Sequence, residues 1–258
     1  MSEFVENYTG NGKVYLLNKG NKVYTDIAAR FVRSERPVAE IISSDYNPNI
    51  VRNILESGHL AATEFDLFIF GIEGYSRVCE TQLVRKRIGS YLIKSGRQEL
   101  NGKRAYSMVA PESIYNAMAH VKVHDKDMVL SGRDIMHICQ QWYDQSIVNG
   151  IKEEDARYLK PQATEFKAIV AYNAHGLRDW LRIRMCRRAQ AEIRDLATKM
   201  YQLTKEAYPD LMKGAGPNCV VQGYCTEGQY QCDEMKGIIP TKEEMLHGYR
   251  EWKKSQLN

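Results

Sequence analysis

Gln82-Leu-Val-Arg-Lys-Arg-Ile-Gly-Ser-Tyr-Leu-Ile-Lys-Ser-Gly-Arg97 sets a cluster of basic side chains beside two serines and two glycines. Guanidinium groups offer planar, forked donors, and backbone N–H groups near glycine are open to a ligand, so this stretch suits an anion such as a phosphate. Upstream, Ser76 is placed to cap a helix whose inner face uses Cys79, Leu83 and Val84, with Gln82 and Arg85 three residues apart on a shared side. Gly89 and Gly96 punctuate the turn that follows. A solvated basic helix is the plainer alternative for the same residues.

Working outward, residues 1 to 20 read as an irregular or short-strand lead-in. Thr25 to Arg33 has an amphipathic helical pattern. Asn47 to Leu55 reads as a second helix, with Pro48 in its first turn and Gly58 ending it. Phe65 to Ile72 is apolar on both faces except for Asp66, as in a strand of a covered sheet, and is expected to break at Gly74. Residues 98 to 112 carry a weak strand pattern. Ile114 to Val121 and Gly132 to Val148 look helical, the second with Ile135, Ile138, Trp142 and Tyr143 at core spacing. Glu153 to Leu159 starts another helix that Pro161 ends. From Glu165 to Ala207 little but Gly176 interrupts a helical reading, and Ile193, Leu196, Met200 and Leu203 define an inward face. Leu177, Leu181, Arg184 and Arg188 share the other half's face, an odd mixture for a core.

The 258 residues are 43% hydrophobic and 26% charged, enough for one core with an appended tail. A net charge of +4 fits an anionic small molecule as well as nucleic acid. No run of eighteen apolar residues is present, and the first residues lack a signal core, so a cytoplasmic protein is expected. Cys79, Cys139 and Cys186 lie in helical patterns. Cys219, Cys225 and Cys232 lie in a loop-like stretch without zinc-finger spacing, with His247 as a conceivable fourth ligand. They are read as reduced thiols, with no metal site.

Residues 85 to 98 resemble the signature of the flavin-dependent thymidylate synthases, R-H-R-x-x-S-x-N-x-x-S-x-R-Y. The resemblance extends through Ser57-Gly-His59, Glu64, Glu73 to Arg77 and Gln82, and later through Ala156-Arg157, Asn173-Ala174, Leu177-Arg178, Arg184 and Ala189 to Ile193. Order and spacing agree over about residues 22 to 203. The tail's Gly-Pro-x-Cys and Cys-x-Glu-Gly resemble those of longer members. The resemblance implies an α+β fold: a single domain over residues 1–207 with a central, mostly antiparallel sheet covered by several helices. A Cys-containing C-terminal extension then covers residues 208–258.

It further implies reductive methylation of dUMP to dTMP by FAD, NADPH and methylene-tetrahydrofolate, in a homotetramer with no membrane or nucleic-acid partner. The flavin supplies the redox chemistry, and the protein aligns its ligands and excludes water. By resemblance, Gln82, Arg85, Ser95, Gly96, Arg97, Arg157 and Arg184 hold the nucleotide. Arg184 and Ser95 are the catalytic candidates, Arg184 by steadying negative charge that develops on the uracil. His59, Glu64, Arg85, Lys86, Arg87, Asn173 and Asp179 fall to the flavin, although His59 reads equally as a structural histidine. Arg184, Arg188 and Glu192 could instead form a helical charge ladder.

The sequence departs from the signature at Lys86 for histidine, Leu92 for asparagine and Gln98 for tyrosine, and His175 stands where arginine is usual. A paralogue acting on another pyrimidine nucleotide would leave this pattern. A protein without catalysis, binding nucleic acid through Arg178, Arg182, Arg184, Arg187 and Arg188 with Tyr91 and Trp180 stacking on bases, is the other alternative.

Overall fold

The computed structural model describes residues 4–21, 23–95 and 105–256. In chain order the elements are β1 (Val5–Tyr8), β2 (Lys13–Leu16), α1 (Thr25–Arg33), α2 (Val38–Ile42), α3 (Pro48–Glu56), β3 (Leu67–Ser76), α4 (Arg77–Leu83), β4 (Ser90–Ile93), β5 (Ser107–Ala110), α5 (Glu112–Asn116), β6 (Met118–Val123), β7 (Lys126–Ser131), α6 (Gly132–Val148), α7 (Glu153–Ala156), β8 (Glu165–Asn173), α8 (Ala174–Arg184), α9 (Ala191–Ala207), α10 (Pro209–Met212), α11 (Asn218–Gln222) and α12 (Lys242–Ser255). A four-stranded sheet has the order β2-β3-β8-β4, so the expected α+β class with an antiparallel sheet holds. The chain forms two compact units, Met1–Tyr15 with Phe70–Val170 and Leu16–Ile69 with Ala171–Asn258.

In the first unit, β1 pairs in parallel with β5, and β6 with β7 as an antiparallel hairpin. Its core gathers Phe4, Tyr106, Met108, Tyr115, Met136 and Tyr143. The helix over Gly132–Val148 forms as expected, nucleated by a Ser131–Asp134 capping box. Its inner face differs from the expectation: Met136, Gln140 and Tyr143 are buried, whereas Ile135, Ile138 and Trp142 are 41–47% exposed. Gln140 goes inward because its carbonyl accepts the Tyr106 N–H at 2.8 Å, which burial would otherwise leave unpaired.

Two further expectations fail in this unit. The helix expected over Ile114–Val121 stops at Asn116, and the chain turns extended to start the hairpin. The strand expected to break at Gly74 runs on to Ser76. Gly74 adopts φ 76°, and a Cβ there would stand 3.1 Å from the Gly12 Cα. The glycine thus serves a close backbone approach within the strand rather than ending it.

In the second unit, α1 and α3 occupy the expected ranges, α3 beginning with the Asn47 cap and Pro48. Leu177, Leu181, Ile193, Leu196 and Met200 are fully buried on α8 and α9, each side chain contributing roughly 1.5–3 kcal/mol by leaving water. Asp66 is 5% exposed and accepts the Tyr24 and Thr25 N–H groups at 2.7 and 3.0 Å, as well as the Thr25 hydroxyl. Burial nevertheless raises its pKa above the ordinary aspartate value.

The helical reading from Glu165 onward is wrong at its start. Glu165–Asn173 is a strand that buries Phe166, Ala168, Val170 and Tyr172 at alternate positions, a period of two that only a strand satisfies. The helical face supposed for Leu177 through Arg188 also ends early, because α8 stops at Arg184. Arg184, Arg188 and Glu192 therefore do not form one helical ladder, and Glu192 is 1% exposed near the start of α9.

Candidate functional site

In the first unit, β3 runs straight into α4, and the Ser76 hydroxyl accepts the Cys79 N–H at 3.3 Å. Cys79 and Leu83 are fully buried, as the sequence implied, whereas Val84, expected on the same face, is 40% exposed just past the helix end. The helix ends at Leu83, so Arg85 lies in the following turn and does not share a helical face with Gln82. Gln82 donates back to the Val78 carbonyl at 3.3 Å, and Arg85 and Arg87 are exposed. The Lys86 carbonyl accepts the Tyr91 hydroxyl at 2.7 Å, which folds the basic turn onto the start of β4.

Beyond this turn, α4, the end of β4 and the segment before β8 enclose a cleft of about 720 Å³. Ser95 and Arg157, sixty-two positions apart in the chain, both line it. Arg77, Lys94 and Lys160 join them, three cations to which the sequence reading gave no ligand role. Arg77 is held by Glu80 at 2.6 Å, and Arg157 Nε donates to the Glu154 carbonyl at 3.2 Å. The Lys160 ammonium sits 4.0 Å from the Tyr106 ring centroid and 4.7 Å from that of Tyr143. Lys94 is fixed by its backbone N–H donating to the Lys167 carbonyl at 2.8 Å. The signal for Arg77 was its place directly after the Ser76 cap. Gln82, Arg85, Lys86 and Arg87 are not among the lining residues of this cleft. Gly96 and Arg97 lie outside the described residues.

The second unit holds the other candidates in three places. His59 lines a pocket of about 320 Å³ with Arg30, Arg33, Asn53 and Ser57. The Arg30 Nε there is buried and, among the described residues, has no hydrogen-bond partner. His175 Nδ1 lies 3.1 Å from the Glu64 carboxylate. Asn173 caps α8, its Oδ1 accepting the Gly176 N–H at 2.7 Å. Asp179 lies half-buried on the same helix.

At the far end of α8, Arg184 lines a third pocket, of about 340 Å³, together with Cys186, Cys219, Cys225 and Cys232. Two residues offered for a nucleic-acid surface are engaged inside the fold. Trp180 is 3% exposed, and Arg178 donates to the Leu211 and Lys213 carbonyls at 2.8 and 2.9 Å. Neither is placed to meet a strand of nucleic acid.

Solved structures share this α+β fold. The chain aligns with a UMP/dUMP methylase from Streptomyces cacaoi bound with 5-Br dUMP, TM-score 0.63 at 16% identity, covering 80% of this chain and 95% of that one. That likeness establishes the fold. In sequence, the family model for the thymidylate synthase complementing proteins matches residues 17–210. The flavin-dependent thymidylate synthase of Geobacter sulfurreducens is 37% identical over 69% of this chain and 73% of its own. The enzyme of the same name from Pyrococcus furiosus is 37% identical over 72% and 75%, and that of Sulfolobus acidocaldarius 29% over 92% and 88%. The chain belongs to this family, whose curated members are named as enzymes, methyltransferases acting in thymidylate synthesis. Among the described residues no helix is long and apolar enough to cross a membrane.

Proposed function

We propose that this protein methylates dUMP to dTMP, taking the one-carbon unit from methylene-tetrahydrofolate and the reducing equivalents from NADPH through bound FAD. The observation that carries the reading is the meeting of Ser95 and Arg157 in one cationic cleft. These are two of the residues that the family resemblance assigns to the nucleotide. A hydroxyl and a guanidinium from separate segments, with Lys94 and Arg77 nearby, suit a phosphate monoester. Gln82, Arg85, Gly96 and Arg97 join the nucleotide set in this proposal. Arg184 steadies the charge that builds on the pyrimidine as its C5 carbon is alkylated.

The flavin, when bound, supplies the hydride. The residues around His59 fit such a group, because the Arg30 Nε is a buried donor that a flavin oxygen or phosphate would satisfy. Glu64, Arg85, Lys86, Arg87, Asn173 and Asp179 make up the rest of the proposed flavin set. Since the Asn173 carbonyl oxygen already accepts the Gly176 N–H, its amide nitrogen is the atom that would face the flavin, as a donor to an acceptor on that ring. A homotetramer in the cytoplasm belongs to the same proposal. It allows Arg184 and the cleft residues to act on a ligand shared between subunits.

The test is to incubate the purified protein with FAD, NADPH, methylene-tetrahydrofolate and dUMP, and to identify the nucleotide product by mass spectrometry. Formation of dTMP is expected. Unchanged dUMP despite bound flavin would overturn the reading. It would point to the second one, a different pyrimidine nucleotide, which the exposed Leu92 in place of a signature asparagine favours.

A further inference from the structure

Between α1 and α3 lies a pocket with a basic rim and an apolar floor. Arg30 and Arg33 stand one turn apart at the end of α1 and so share a face, with Ser34 directly after them. Across from them, Ile50, Asn53, Ile54 and Ser57 recur at the spacing of one helical face on α3 and its end. Together with Ala29 and His59 these residues line about 320 Å³, and no carboxylate is among them.

Arg30 is braced along one edge of its guanidinium. Its Nη2 donates to the Asp45 carbonyl at 2.9 Å and lies 3.6 Å from the Asp26 carboxylate. Asp26 is 1% exposed and itself accepts the Ile27 and Asn47 N–H groups at 2.8 and 3.2 Å, so the brace is rooted in the start of α1 and the cap of α3. The Arg30 Nε is then left as a buried donor without a hydrogen-bond partner among the described residues. A guanidinium anchored on one edge with a donor to spare on another is preorganised for an oxyanion.

The neighbours add donors of the same kind. The Ser34 hydroxyl accepts the Arg36 N–H and Nε–H at 3.2 and 3.3 Å, which leaves its own hydrogen to donate. Arg33 is exposed at the rim. Basic residues in a last turn also complement the helix dipole, but an unsatisfied buried Nε does not follow from that role. The volume lies at the small end of ligand pockets, which run from about 300 to 1,000 Å³, so it suits a portion of a dinucleotide.

We propose that this pocket seats the diphosphate of FAD, with Arg30, Arg33 and Ser34 as its donors. The inference rests on the flavin reading given above and names the part of the cofactor that this pocket takes. Two guanidiniums meet the two negative charges of the diphosphate, and Ala29, Ile50 and Ile54 keep water from competing for them. The pocket thereby distinguishes the dinucleotide from riboflavin, which carries no phosphate.

The experiment titrates flavin-depleted, full-length protein with FAD, FMN and riboflavin and reads binding by calorimetry. FAD is expected to bind about 10-fold or more tightly than riboflavin, with FMN between them, and only the phosphorylated flavins should weaken as salt is raised. Arg33→Gln should lower FAD affinity about 10-fold and leave riboflavin unchanged. Arg52→Gln, which removes a positive charge from α3 outside the pocket, should alter neither. Riboflavin or FMN binding as tightly as FAD would overturn the proposal. So would unchanged FAD affinity in Arg33→Gln, or an equal loss of FAD and riboflavin, which would mark the arginine as structural. The wild-type series decides even if the variant fails to fold. Failure of the synthase reading would look different, with FAD preferred over riboflavin while dUMP returns unchanged.

Discussion

α4 and α8 begin in the same way and end differently. Each is the direct continuation of a strand, β3 or β8, and each is capped by that strand's last residue, Ser76 or Asn173. α4 stops after seven residues, and its basic continuation, Arg85 to Arg87, lies in a turn with Arg85 and Arg87 exposed. α8 runs for eleven residues, and Arg182, Arg187 and Arg188 at its end are tied to Asn218, Glu234 and Tyr230. The shared start positions a helix from a rigid strand. The different ends separate an open basic turn beside a cleft from a braced one, and the lesson is that clusters of basic residues take different surroundings in the two places.

Arg184→Ala gives the largest effect if the braced end holds a catalytic group. Turnover falls about 100- to 1000-fold with the circular dichroism spectrum and oligomer intact. Loss of the folded protein instead would make Arg184 structural rather than catalytic. Asp66→Ala comes next, because it orphans the Tyr24 and Thr25 N–H groups. A loss of about 2–3 kcal/mol in urea unfolding is expected.

In the open region, Arg157→Ala and Ser95→Ala raise the KM for the nucleotide, about 10-fold or more for the charged contact and a few-fold for the hydroxyl. Unchanged KM in both would remove the cleft from the comparison. The caps sharpen it further: Ser76→Ala and Asn173→Ala each cost about 1 kcal/mol. Only Asn173→Ala should also weaken flavin binding, as read by flavin fluorescence.

The pH dependence is the smallest and most specific effect. Asp66 binds a proton more readily in the folded chain than in the unfolded one, because burial raises its pKa. Its contribution to stability is thus greatest in acid and declines as pH rises from about 4 through the raised value, levelling off above it. Asp66→Asn should abolish that slope in unfolding measured across the window.

Much of this was legible in the sequence where local chemistry acts alone. The Ser76 cap, the Asn47-Pro48 start of α3 and the ranges of α1 and α6 all follow from residues within a turn of one another. The errors arose where a partner distant in sequence decides. Gln140 is inside because of Tyr106, and Gly74 stays in its strand because Gly12 lies against it. The alternation of Phe166, Ala168, Val170 and Tyr172 was present but masked by the intervening apolar Ile169 and Ala171. Of the candidate site, Ser95 and Arg157, which the resemblance gave to the nucleotide, line one cleft. Cys186 was read as helix packing because nothing in a linear pattern shows which segment a tail returns to.

The two lysines of the cleft are unequal in a way that makes the protein its own reporter. Lys160 has its ammonium against two phenol rings, whereas Lys94 is exposed on a strand end. Amine-directed acylation followed by peptide mapping would mark Lys94 early and Lys160 late. A ligand lodged in the cleft, which both lysines line, would slow both, whereas a loosened core would hasten the second without altering the first.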